Sequence, residues 1–273
     1  MKTKEYWKEE ARRRLQSLAR EEELFAGYWT KRYLENLKYL PEGERILDIG
    51  CGDAKYFIKL TDKFNEFYGV ELSSVHFESA KNVFPAGNYV VADGGELPFQ
   101  DSFFGVIVSF GAFEHNEDID SIFKECYRVL KEEGVLLFSV PNYVSPYFPY
   151  CYISHTIRGH DRIAAIGHYY TKRELISKLK EQRFSKIKIV DSIYAAPIPI
   201  VGLVSGLAAR LIKKMGKSQS YVNSTTEERG HPQGDKLGKL KNIVKNLDYL
   251  YSKAFYPFER LGFGFMRVIY CEK

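Results

Sequence analysis

Between Glu44 and Val190 short apolar runs alternate with stretches of helical periodicity, and this alternation limits the fold more than any other feature of the chain. The apolar runs are Arg45–Ile49, Glu66–Glu71, Asn88–Ala92, Gly105–Phe110, Gly134–Val140 and Lys186–Val190. Helical candidates fall between them at Ala54–Phe64, Ser73–Phe84, Asp118–Lys131 and Lys172–Gln182, with Ser73 and Thr171 placed as N-caps. Strand followed by helix, repeated, makes right-handed crossovers and a parallel sheet covered on both faces. The expectation is an α/β protein with a Rossmann-like, doubly wound sheet. A last apolar run, Phe265–Cys271, returns after a long gap and is placed to enter the sheet as its final strand.

The regions outside this regime divide the chain. From Thr3 to Tyr39 the residues are helix formers without proline, and Trp7, Leu15, Leu18, Trp29, Tyr33, Leu37 and Leu40 recur at helical spacing until Pro41 and Gly43 break the pattern. The expected organisation is an N-terminal helical cap over 1–43, a core over 44–192 plus 263–273, and an insertion over 193–262. Connections in compact domains are commonly about 4–6 residues, so the gap before the last strand marks added material. Ile200, Val201, Leu203, Val204, Leu207, Leu211, Ile212 and Met215 would share one helix face, with Arg210, Lys213, Lys214 and Lys217 at its end. Pro197 and Pro199 make this a poor membrane span. Three readings stand: a cap over the substrate, a peripheral membrane contact through 193–217 with basic residues toward anionic lipid, or a dimer contact; the oligomeric state itself is left undetermined.

Composition is that of a globular protein, with 45% hydrophobic and 27% charged residues in a chain of 273. Its net charge of +5 is interleaved along the chain, which allows a nucleic-acid partner without implying one. The cysteines Cys51, Cys126, Cys151 and Cys271 form no CxxC pair and have no histidine at ligand spacing, so no metal site and no disulfide framework is expected. The first residues are too charged for a secretory signal, and the expected location is cytoplasmic, with membrane-peripheral placement left open by 193–217.

A doubly wound sheet binds ligands at the carboxyl ends of its strands, so the loops there carry the functional reading. The first strand runs into Asp48, Gly50, Cys51, Gly52, Asp53 and Ala54, and a Gly-x-Gly turn lets backbone pass close to a ligand. A pyrophosphate calls for bare amide donors there, whereas Asp48 favours a cation such as the ammonium and sulfonium of S-adenosylmethionine. The third glycine of the dinucleotide fingerprint is missing, which leaves a nicotinamide dinucleotide as the lesser alternative. Glu71, at the end of the second strand, lies where an acid accepts from ribose hydroxyls, and Asp93, at the end of the third, where one accepts from an adenine amino group.

The stretches ILDIGCGDA, YGVELS, ADGGELPFQDSFFGVIVSFGAFEHNED, ECYRVLKEEGVLLFSVPN and HYYTKRELISKLKEQRF resemble class I S-adenosylmethionine-dependent methyltransferases, and among them the group called type 11. The resemblance implies a seven-stranded sheet, mostly parallel with an antiparallel last strand. It also implies that Gly50 and Gly52 pass under the methionine moiety, that Glu71 holds the ribose, that Asp93 with Gly94 reads adenine, and that Leu72 packs on the adenine face. Asp48, Cys51 and Phe110 complete the expected cofactor set. Three departures stand out: Ala54 replaces a common third glycine, Gly105 replaces a frequent aspartate, and Gly111 stands where some relatives carry an acid.

Methyl transfer from a sulfonium is an in-line displacement in which positioning supplies up to about 7–11 kcal/mol, so a dedicated base is optional. If the acceptor is a hydroxyl, His115 is the candidate nearest its proton, ahead of His155, His160 and His168. The aromatic stretch holding Tyr143, Tyr147, Phe148, Tyr150 and Tyr152 suits a small-molecule or lipid-like acceptor, or else packs the loop onto the sheet. Two rival functions remain: a non-catalytic S-adenosylmethionine-binding regulatory subunit, and an RNA methyltransferase. For the second, SVPNY lacks the Asn/Asp-Pro-Pro-aromatic order used in methylating base amino groups.

Overall fold

The computed structural model describes residues 28–145, 168–192 and 266–273. Helix α1 (Tyr28–Leu37) leads into strand β1 (Gly43–Ile49). Then follow β2 (Phe64–Glu71), α2 (Ser74–Val83), β3 (Asn88–Val91), β4 (Phe104–Phe110), α3 (Ile119–Val129), β5 (Leu130–Pro141), α4 (Lys172–Glu181), β6 (Ser185–Ser192) and β7 (Met266–Glu272). The strands form one seven-stranded sheet in the order β3-β2-β1-β4-β5-β7-β6. β1 pairs in parallel with β2 and β4, and β7 runs antiparallel to both β5 and β6. The α/β, Rossmann-like expectation holds, antiparallel last strand included. The N-terminal helical region through residue 27 and the whole 193–262 insertion lie outside the described residues.

Alternation along the strands builds two cores. Ile46, Val106, Val108, Val135 and Leu137 face one side of the sheet with Tyr33, Leu37, Phe57 and Phe67. Leu47, Ile49, Ile107, Leu136, Phe138 and Val140 face the other, against Ile122, Phe123 and Val129 of α3 and Leu175 and Leu179 of α4. Helix α3 buries Ile119, Ile122, Phe123, Cys126 and Val129, the stripe that a 3.6-residue period lays on one face. Both expected caps form: Ser73 accepts from the His76 amide, and Thr171 makes a capping box with Glu174.

One expected helix does not form. Instead of an α-helix over Ala54–Phe64, the chain makes a 3-10 helix at Lys55–Lys59. Ala54, Phe57 and Leu60 are all buried, a spacing of three that a three-residue turn stacks along one edge. Amides of Phe57, Leu60 and Lys63 each bond the carbonyl three residues back, and β2 begins at Phe64, two residues earlier than the apolar run suggested. Helix α3 is likewise shorter than expected, because β5 begins at Leu130, where it pairs with Phe104 before a register shift at Gly105.

Candidate functional site

The site sits at the carboxyl ends of β1, β2 and β4, where the chain runs from β1 outward through β2 to β3 and then crosses back to β4 on the other side of β1. Beyond Ile49 the chain turns through three left-handed residues: Gly50, Gly52 and Ala54 have φ of 74°, 55° and 51°. At Gly50 the requirement is steric as well as torsional. A Cβ there would stand 2.4 Å from the Ala112 Cβ, so the loop after β1 is pressed against the loop after β4. Amides of Gly50 and Cys51 both bond the Val70 carbonyl, at 2.8 and 3.1 Å, which ties the loop to β2.

Glu71, the last residue of β2, is the hub. One oxygen accepts from the Gly52 amide and the other from the Ser73 amide, each at 3.0 Å. The second oxygen also lies 3.7 Å from His76 Nδ1. Burial, the largest influence on this carboxyl, raises its pKa; His76 and then the Ser73 and Gly52 amides outweigh it and hold it below the usual carboxylate value. Glu71 is therefore a fixed anion with lone pairs to spare for hydroxyl donors.

Asp48 lies beneath the loop and is buried. Burial first, then the charges of Glu71 and Asp53, push its pKa well above the carboxylate range. An acid held neutral in this way becomes an anion when a cation arrives beside it. Cys51 is buried, its sulfur packed where Gly69 has no side chain, and burial followed by the Asp48 charge pushes its thiol up, away from thiolate chemistry.

Leu72 leaves 44% of its surface exposed directly after Glu71, an apolar face open to a ligand. Asp93 follows β3, which pairs with β2 so that Val91 lies beside Glu71. Its carboxylate accepts from the Gly95 amide at 2.8 Å and from Asn116 Nδ2 at 3.4 Å. Gly94 brings its backbone close to Ile49, whose Cγ2 would be 3.0 Å from a Cβ at that position. Phe110 stacks on Tyr33 at 4.5 Å between ring centroids and meets Tyr56 edge-on at 5.7 Å. It thus belongs to an aromatic rim rather than to the hydrogen-bonded acids.

Past β4, Gly111 takes a left-handed φ of 71° and gives its amide to Ser139 Oγ at 3.2 Å. His115 closes a 3-10 turn, Phe113–His115, and is half-buried. Beside it Glu114 is fully buried, with one oxygen lacking a hydrogen-bond partner, and burial raises its pKa against a smaller opposing effect of His115. His168 is exposed and lies 3.2 Å from Glu174, while His155 and His160 fall outside the described residues.

Tyr33, Tyr56, His76 and Ser139 were not expected at the site from sequence. Tyr33 belonged to an amphipathic pattern and His76 to a helix face, and only folding brings them to the loops.

Residues 47–138 match a family model described as a methyltransferase domain. A demethylmenaquinone methyltransferase of Thermotoga maritima is 35% identical over 112 residues, covering 40% of this chain and 48% of that protein. Sterol 24-C-methyltransferase of Aspergillus fumigatus is 30% identical over 111 residues, covering 38% and 29%. The chain spans about half, or less, of the length of the curated relatives it matches. In fold, it is similar to the crystal structure of an S-adenosylmethionine-dependent methyltransferase, possible histamine N-methyltransferase, from Thermotoga maritima. That likeness has a TM-score of 0.55 at 18% identity, covering 90% of this chain and 89% of the other.

Proposed function

The chain carries a class I S-adenosylmethionine-dependent methyltransferase domain, with S-adenosylmethionine as its cofactor, and from that premise we propose that it transfers the methyl group to a small-molecule or lipid-like acceptor. The observation that carries the reading is Glu71: a carboxylate fixed by the Gly52 and Ser73 amides, at the strand end where a ribose is held, beside a loop of left-handed residues. Glu71 accepts from the ribose hydroxyls, Asp93 and Gly94 take the adenine edge, and Leu72 covers its face. Gly50, Cys51 and Gly52 pass beneath the methionine moiety, where Asp48 offers a charge to its ammonium. Phe110 borders the cofactor on the aromatic side.

The cofactor supplies an electrophilic methyl on a sulfonium. The protein's part is to hold the acceptor in line and exclude water, which Tyr33, Tyr56 and Phe110 do by walling the edge with rings. A hydroxyl acceptor gives its proton to His115, which is half-buried and reachable, whereas Glu114 next to it is sealed. Small-molecule and lipid-like acceptors fit the relatives' names, demethylmenaquinone and sterol. Among the described residues no helix is long and apolar enough to cross a membrane, and contact with a membrane surface is left to 193–217.

The test is transfer of radiolabelled methyl from S-adenosylmethionine to a cell extract. Label should enter an organic-soluble or small polar fraction with wild type and not with Glu71→Ala. Cofactor binding without transfer would make the protein a regulatory binder, and label in RNA would replace the small acceptor.

A further inference from the structure

Helix α2 buries His76, Ser79 and Ala80, a stripe one turn long in which an imidazole occupies a place that an apolar side chain could fill. Burying an imidazole is costly unless its polar atoms are used. One is: Nδ1 faces Glu71 Oε1 at 3.7 Å, longer than a hydrogen bond but close for an electrostatic contact in a buried setting. The other nitrogen, Nε2, is buried with no hydrogen-bond partner. A proton on Nδ1 points at the carboxylate.

The main chain adds to this. The His76 amide bonds Ser73 Oγ, and the Ser73 amide bonds Glu71 Oε1, so the first turn of α2 and the carboxylate form one linked unit. Glu71 is thus held from three directions: the Gly52 amide from the glycine loop, the Ser73 amide from the helix cap, and the His76 ring from the helix itself. Of the groups that keep Glu71 ionised against its burial, His76 has the largest effect.

We infer that His76 is a positioning residue for the cofactor: its Nδ1–H orients the Glu71 carboxylate, from behind, toward the ribose hydroxyls. The inference rests on the assignment of Glu71 to the ribose. It separates α2 from a merely structural helix, because a group that orients Glu71 affects only ligands that carry the hydroxyl Glu71 binds.

The experiment uses that selectivity. Dissociation constants are measured by calorimetry for S-adenosylhomocysteine and for its 2′,3′-dideoxy analogue, which lacks both hydroxyls assigned to Glu71, with wild type and with the Glu71→Gln, His76→Asn, His76→Gln and His76→Phe variants. A hydroxyl donating to a fixed carboxylate should favour the ribo ligand about 10- to 100-fold in wild type. Asparagine places an amide N–H near the position of Nδ1 and should keep that preference within about twofold, by the same hydrogen-bond arithmetic. Glutamine reaches instead toward the position of Nε2, and phenylalanine fills the space with no donor. Both should weaken the ribo ligand about tenfold while leaving the dideoxy ligand within about twofold.

Equal losses for both ligands in His76→Gln and His76→Phe would make His76 structural and overturn the inference. So would wild-type preference in those variants, with Glu71→Gln alone losing it. A wild type without preference, or a Glu71→Gln variant that keeps it, would instead remove the ribose assignment, and the inference with it.

Discussion

Substituting Gly50 by alanine tests whether the loops after β1 and β4 are pressed together as described. Gly50 has a φ of 74°, and a left-handed conformation costs a residue with a Cβ about 1–2 kcal/mol. The new Cβ would lie 2.4 Å from the Ala112 Cβ, whereas carbon atoms pack at about 3.5–4.0 Å, so one loop must shift by more than about 1 Å. Overpacking of that kind costs about 1–3 kcal/mol. The two contributions give a loss of about 2–5 kcal/mol, a drop in Tm on the order of 10 °C for a chain of this size. Cofactor binding should fall with it, because the displaced backbone carries the amides of Cys51 and Gly52. Urea unfolding of Gly50→Ala, Ala112→Gly and the double variant resolves the terms. Removing the Ala112 Cβ should return the overpacking share, about 1–3 kcal/mol, and leave the torsional share. A single variant within about 0.5 kcal/mol of wild type, or a double variant with no recovery, would refute the contact between the loops.

Asp48 should couple cofactor binding to proton release. Its folded pKa is raised by burial, so the free protein loses stability as pH rises from the ordinary carboxylate range through the raised value. A bound cation reverses the shift, and calorimetry in buffers of different ionisation enthalpy should detect release in wild type and none in Asp48→Asn; equal release in both would place the titration elsewhere. His115→Ala should lower kcat by about 10²-fold for a hydroxyl acceptor with the cofactor Kd unchanged. An unchanged kcat would mean that no base is used there. Thr171→Ala breaks the capping box of α4 and should cost about 1 kcal/mol in urea unfolding without touching cofactor affinity. A loss of affinity would tie α4 to the site.

The strands, and the placement of three acids near strand ends, were readable because each rests on local chemistry. Alternating Val106, Ile107 and Val108 has meaning only on a sheet with two buried faces, and the acids lie at or next to strand ends: Glu71 closes β2, Asp48 precedes the last residue of β1, and Asp93 stands two residues past β3. The segment after Ala54 misled because KYFIKL is apolar enough for an α-helix, and its three-residue spacing matters only once Ala54 is set left-handed by the turn before it. Other residues around the site were hidden for a different reason. Tyr33 reaches Phe110 across 77 positions of sequence, and Ser139 meets Gly111 across 28, so neither contact leaves a local pattern. Even His76, five positions from Glu71, read as one face of a helix until β2 and α2 were placed side by side. Of the departures noted from sequence, Gly111 is explained by backbone, because it adopts a positive φ that glycine takes without cost; Ala54 adopts the same region at a cost, and nothing in the structure explains the alanine there.

The central claim is that Glu71 and its loop hold S-adenosylmethionine for methyl transfer. It is tested most directly by a crystal structure with S-adenosylhomocysteine bound. The account predicts both ribose hydroxyls on the Glu71 carboxylate at about 2.5–2.7 Å, with the Gly52 and Ser73 amides still on the same oxygens. A ligand whose ribose lies away from Glu71, or a site that takes up a dinucleotide in its place, would contradict it.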